Sequence, residues 1–248
     1  TGTVQIRSGN ELQLFRADNG VAVDFSNDGA GVGLVIDDNN SEGFNVDFNG
    51  TRVFRIAGDG SLSTPTAGTS NVRFGVNAGN SITANTNYNV CIGDEAGTAL
   101  NGGDQNVAIG YQAAALLNTG ANIVAIGYQA GDALTTGENN IAIGKNALGS
   151  EDTHDFNIAI GSNALGTQNA GADAYNVAIG HNAGTAINTG IKNTFVGGLA
   201  GDANTTGFNN IAIGFDAMGA NTASGANVAI GYESLKVYNN TADASHFN

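Results

Sequence analysis

The sequence predicts an all-β chain: a repeat-built solenoid of ten coils, each about 17 residues long, preceded by a region of short strands. Three observations carry this. First, one glycine closes a near-constant phrase at positions 75, 93, 110, 127, 144, 161, 180, 197, 214 and 231, in steps of 18, 17, 17, 17, 17, 19, 17, 17 and 17 residues. Such a short, regular period means one structural unit per repeat, stacked on its neighbours. Second, the phrase is Asn, Val or Ile, Ala, Ile, Gly, with β-branched residues at alternate places, as a short strand requires. Third, glycine is 38 of 248 residues, about twice the usual share, and charged residues are only 12% against roughly 25% in ordinary domains. With a single proline and no G-X-Y period the chain is not collagen.

The elements follow in order. Residues 1–60 carry TVQIR, ELQLFRA, VAVDFS, VGLVID, FNVDF and TRVFRI, each alternating apolar and polar residues. Between them stand Asn19-Gly20, Asp28-Gly29, Asn39-Asn40, Asn49-Gly50 and Asp59-Gly60, pairs that tolerate positive φ and close hairpins. Strands this short cannot enclose much core alone, so several chains are expected to pool their apolar faces. Residues 61–70, SLSTPTAGTS, read as a linker. The array occupies 71–248. His246–Asn248 echoes Asp155–Asn157, where a phrase begins, and Thr1 opens the chain mid-phrase, so a fragment truncated within its array is expected.

Within the phrase, side chains alternate faces. Val107 and Ile109 share one face and Ala108 points to the other. The reading places the Val/Ile columns inside the coil. The middle column, Ala108, Ala125, Ala142, Ala159, Ala178, Ala212 and Ala229, is then expected outside, as a smooth interface to another copy of the chain. Cys91 stands in this column and reads as a small packed residue. Three residues after each repeat glycine comes Ala (Ser234 in the last copy), which suggests a tight bend with its side chain turned inward. Nine of ten phrases open with Asn, the exception being Ile123, and stacked Asn side chains can hydrogen-bond along a parallel array.

Charge narrows the partners. Net charge is −14, all five arginines lie in the first 73 residues and the three lysines are scattered, so no basic patch exists for nucleic acid or an anionic membrane. No stretch of 18 apolar residues predicts membrane insertion.

Chemistry is sparse. GAGVG at 29–33 lacks phosphate-loop spacing, and His154, His181 and His246 have no partners at metal-ligand spacing. SEDTHD, Ser150–Asp155, gathers three carboxylates and a histidine but reads as a solvated loop. Asp24, Asp37, Asp38 and Asp47 are better explained by solubility than as a glycosidase pair. An ice-binding face would need paired Thr columns, and the repeat supplies one Thr per turn. No catalytic residue, metal or cofactor is expected. One column could touch a ligand: Tyr111, Tyr128, His181 and Tyr232 follow repeat glycines beside amide side chains, a combination that suits a sugar.

The phrase NVAIG…A…TG.N resembles the head repeats of trimeric autotransporter adhesins and is similar to repeat arrays in phage tail fibres, over residues 71–248. TRVFRIAGDGSL at 51–62 also resembles an element found before such repeats in phage fibres. The resemblance implies a parallel β-roll assembled as a homotrimer. It implies a structural segment of a phage tail fibre, in the virion, that supports host attachment, with other copies of itself as partners in the homotrimer and a host-surface glycan or protein as a further partner. The alternative it implies is the head domain of a trimeric adhesin on a bacterial surface.

Overall fold

The computed structural model describes residues 71–237, Gly68 and Ser70, and the strand backbones at 44–48, 51–56 and 62–63. All of these lie in the unit 41–248. The expected strands before residue 40, and Asp24, Asp37, Asp38 and His246, lie outside the described residues.

Strands β1 (Phe44–Phe48) and β2 (Thr51–Ile56) form the hairpin expected around Asn49-Gly50. They pair antiparallel with Phe48 opposite Thr51, and a bulge falls between Val46 and Asp47. Strand β3 (Leu62–Ser63), inside the stretch read as linker, adds to β2 as a third strand.

Ten three-residue strands follow: β4 (Val72–Phe74), β5 (Val90–Ile92), β6 (Val107–Ile109), β7 (Val124–Ile126), β8 (Ile141–Ile143), β9 (Ile158–Ile160), β10 (Val177–Ile179), β11 (Thr194–Val196), β12 (Ile211–Ile213) and β13 (Val228–Ile230). They form one parallel sheet in chain order. Pairing keeps the sequence columns in line, Ala108 opposite Ala125 and Ala125 opposite Ala142. Each phrase is therefore one coil, and we number the coils 1 to 10 by their glycines. At the usual strand spacing, nine steps span about 43 Å.

The chain bends at the same four places in every coil. In coil 3 these are Gln105, Gly110, Gln112 and Ala114, with φ of 61°, 128°, 53° and 49°. Three are left-handed positions that non-glycine residues tolerate at modest cost. Only the second demands glycine. A Cβ on Gly110 would lie 2.4 Å from the carbonyl oxygen of Gly127 in the next coil, and Gly127 meets Gly144 in the same way.

The phrase's Asn welds coil to coil. Asn106 Oδ1 accepts the backbone N–H of Ile123 (2.9 Å), and its Nδ2 donates to the carbonyl of Gly120 (2.9 Å). Asn193 repeats this with Asn210 N (3.0 Å) and Gly207 O (2.8 Å). The ladder thus runs mainly from side chain to backbone rather than from amide to amide. It satisfies buried main-chain groups that the three-residue strands leave unpaired. Ile123 occupies the column without an amide and is fully buried.

The inside and outside of the strand are opposite to the expectation. Ala108, Ala125, Ala142, Ala159, Ala178, Ala212 and Ala229 are buried within the single coil, while the flanking Val and Ile columns are half-buried or exposed. These alanines therefore offer no surface to a second chain. The cause is the width of the lumen. The strand's middle residue faces the bend four residues past the glycine: a Cβ on Gly131 would sit 3.6 Å from the Ala142 Cβ. Bulk enters instead from the far side, through Leu100, Leu117, Leu134 and Ile187, all fully buried. The inward Ala after each glycine is as expected, Ala113 and Ala130 being fully buried.

Candidate functional site

The outer sheet face is a continuous apolar feature that the described residues leave partly exposed. Its two columns hold Val72, Val90, Val107, Val124, Ile141, Ile158, Val177, Thr194, Ile211 and Val228 beside Phe74, Ile92, Ile109, Ile126, Ile143, Ile160, Ile179, Val196, Ile213 and Ile230. Every residue but Thr194 is apolar, and none is fully buried. Strand alternation sends them all to one side, and the in-register parallel pairing lines them up as a continuous stripe. Monomeric proteins rarely leave a contiguous apolar patch above a few hundred Å² open to water.

The column expected to touch a ligand is divided. Tyr111 and Tyr128 stack with ring centroids 5.3 Å apart, and the Lys145 ammonium lies over the Tyr128 ring, 5.8 Å from its centroid. His181 stands three coils further on, and Tyr232 stacks instead on Phe215 at 5.8 Å. The four residues therefore do not converge. Within each pair the rings are stacked on one another, with interplanar angles of 24° and 13°. The neighbouring amides are spent on each other as well: Gln129 Nε2 donates to Gln112 Oε1 (2.9 Å), and Gln112 Nε2 to Glu95 (2.6 Å).

The loop Ser150–Asp155 differs from the expectation of a solvated turn. Glu151 is fully buried at the place where the preceding coils carry Leu117 and Leu134. Its Oε1 accepts from His154 Nδ1 (2.7 Å), and its Oε2 accepts from Gln168 Nε2 (2.8 Å). Gln168 Oε1 accepts in turn from Asn176 Nδ2 (3.0 Å). Sequence reasoning missed this because one Glu in a polar run looks solvated; the signal was its alignment with the Leu column.

Cys91 is a buried thiol, as expected. Burial pushes its pKa up to about 11, with the Arg73 guanidinium opposing the rise, so at neutral pH it is a packing residue and not a nucleophile. Among the described residues no helix is long and apolar enough to cross a membrane.

Comparison of the chain with family models, curated proteins and solved structures gives no match.

Proposed function

We propose that this chain is a structural segment of a homotrimeric phage tail fibre, part of the virion, that supports attachment to a host. The observation that carries the reading is the Val/Ile stripe on the outside of the coils. A closed coil has no need of β-branched residues facing water, whereas a face of this length is suited to burial against identical faces of other copies. The repeat phrase, with its likeness to fibre and adhesin arrays, supports the same reading. The alanine columns play no part in the contact.

Sedimentation velocity tests this directly. A trimer is expected for the parent chain, and Ile160→Glu should release monomers that keep their β-sheet circular dichroism. Three carboxylates brought into one dry seam would each lose hydration and repel the others. A monomeric parent, or an undisturbed trimer in Ile160→Glu, overturns the assembly. The reading also expects no hydrolase activity: incubation with bacterial polysaccharides should release no reducing ends. Release that disappears on mutating Asp152 or Asp155 would refute it.

A further inference from the structure

The far turn of coil 5 departs from the array in two columns at once. Where coil 4 reads Leu134-Thr135-Thr136-Gly137-Glu138, coil 5 reads Glu151-Asp152-Thr153-His154-Asp155. The geometry points to a binding site here for a divalent transition-metal ion of the zinc class, held by Glu151, Asp152 and His154.

The three potential ligand atoms lie within 4.8 Å of one another. His154 Nδ1 is 2.7 Å from Glu151 Oε1 and 4.0 Å from Asp152 Oδ1. A tetrahedral zinc ion with bonds near 2.0–2.1 Å sets its ligands roughly 3.3 Å apart, so small side-chain rotations close the site. One imidazole with two carboxylates suits zinc better than calcium or magnesium, which favour all-oxygen shells.

Two further observations support a built site. Glu151 sits at a core position that leucine fills in coils 2, 3 and 4, and a carboxylate is retained there at a cost in desolvation. It is held from behind by the Gln168–Asn176 hydrogen-bond chain, the kind of outer support that fixes a ligand's orientation. In the preceding coils this place is closed to any side chain. Gly103 and Gly120 stand at the place of His154, and a Cβ on either would meet a carbonyl of the next coil, at 2.0 Å for Gly103 and 2.4 Å for Gly120. The turn that follows His154 in the stack belongs to the 19-residue step, with two residues more than the usual 17.

On the solvent side the Asp152 side chain is 46% exposed and that of His154 17%. Water can therefore complete the coordination. Binding replaces the Nδ1–H···Oε1 hydrogen bond with an Nδ1–metal bond. The imidazole then carries its proton on Nε2, 3.5 Å from Thr153 Oγ1.

The test is calorimetric titration of Zn²⁺ alone into the tag-free 248-residue chain after dialysis against a chelator. One saturable ion per chain is expected. His154→Gly restores the residue of the aligned turns and should abolish saturable binding while circular dichroism is retained. Asp152→Asn, at an exposed position, should weaken binding at least about tenfold, and His181→Ala should leave it unchanged. No saturable binding by the parent, or undiminished binding by His154→Gly, overturns the proposal. If His154→Gly loses its fold, Asp152→Asn decides: parental affinity overturns the site, and the tenfold loss supports it.

Discussion

Coils 3 and 4 enclose a lumen filled with hydrocarbon, and coils 5 and 6 enclose the same lumen partly filled with amide and carboxylate. In coil 4 the bend carries Gly131 and the far turn Leu134. In coil 5 the pair is Leu148 and Glu151, and in coil 6 Leu165 and Gln168. Coil 9 repeats the second arrangement with Met218 and Asn221. A large apolar residue appears at the bend when the far turn becomes polar, so lumen volume is kept while its chemistry changes. Coil 8 solves the same problem a third way. Phe195 enters from the strand, and Cβ atoms on Gly184 or Gly201 would meet its ring at 2.9 Å and 2.7 Å. The coil therefore constrains total volume more tightly than the identity of any one filler.

The strongest way to break this picture is to place an unmatched charge in the lumen. Ala159→Glu, in the buried middle column of coil 6, should destabilise by several kcal/mol and remove β-sheet circular dichroism locally, read by urea titration with hydrogen exchange. Folding as stable as the parent's would return the alanines to the outside. Next comes a cavity: Leu134→Ala should cost about 2–5 kcal/mol in the same titration. A Leu134→Ala effect below about 1 kcal/mol would show that the lumen is not close-packed. The sharpest test is the swap itself. Gly131→Leu alone should overpack coil 4 and cost about 1–3 kcal/mol, but combined with Leu134→Gln it should recover part of that loss. A double-mutant cycle showing no coupling would separate the two positions.

The smallest expected effect concerns Cys91. Its folded pKa is raised, so above the thiol's ordinary value of 9.0 the unfolded chain loses the proton first and gains stability relative to the fold. Stability should thus be unaffected by this group below pH 9 and fall by up to about 1.4 kcal/mol per pH unit between 9 and about 11. Comparison with Cys91→Ala isolates the contribution, and identical pH profiles would remove it.

Much of the fold is legible in the sequence. The ten strands, their register and the Asn49-Gly50 hairpin follow from period, alternation and turn chemistry. What alternation does not contain is which face points inward, since Val107 and Ile109 share a face whichever side that is. Hydrophobicity alone puts the larger residues inside, and the narrow lumen reverses this. The missing signal was size compensation between columns. Arg73, Cys91 and Phe195 are the only middle residues larger than alanine, and each belongs to a coil with glycine four places after its repeat glycine: Gly79, Gly97 and Gly201. Two columns that trade volume share one space. The buried state of Glu151 becomes legible by the same logic, through its alignment with Leu134 and the nearby appearance of Leu148. By contrast, the left-handed residues at Gln105 and Gln112 leave little trace, because residues of many kinds occupy those columns.

The asparagine ladder makes the coil junctions chemically alike except at coil 4, where Ile123 takes the place of the amide. Each asparagine of the column presents a side-chain oxygen to the next coil's N–H, and the last described one, Asn227 Oδ1, is buried with no hydrogen-bond partner among the described residues. Because the junctions are interchangeable, removing or duplicating a whole coil rejoins like to like and leaves no new kind of surface behind. Length is then written as a whole number: each block of 17 residues adds about 4.8 Å, and the array can serve as a ruler graduated in coils.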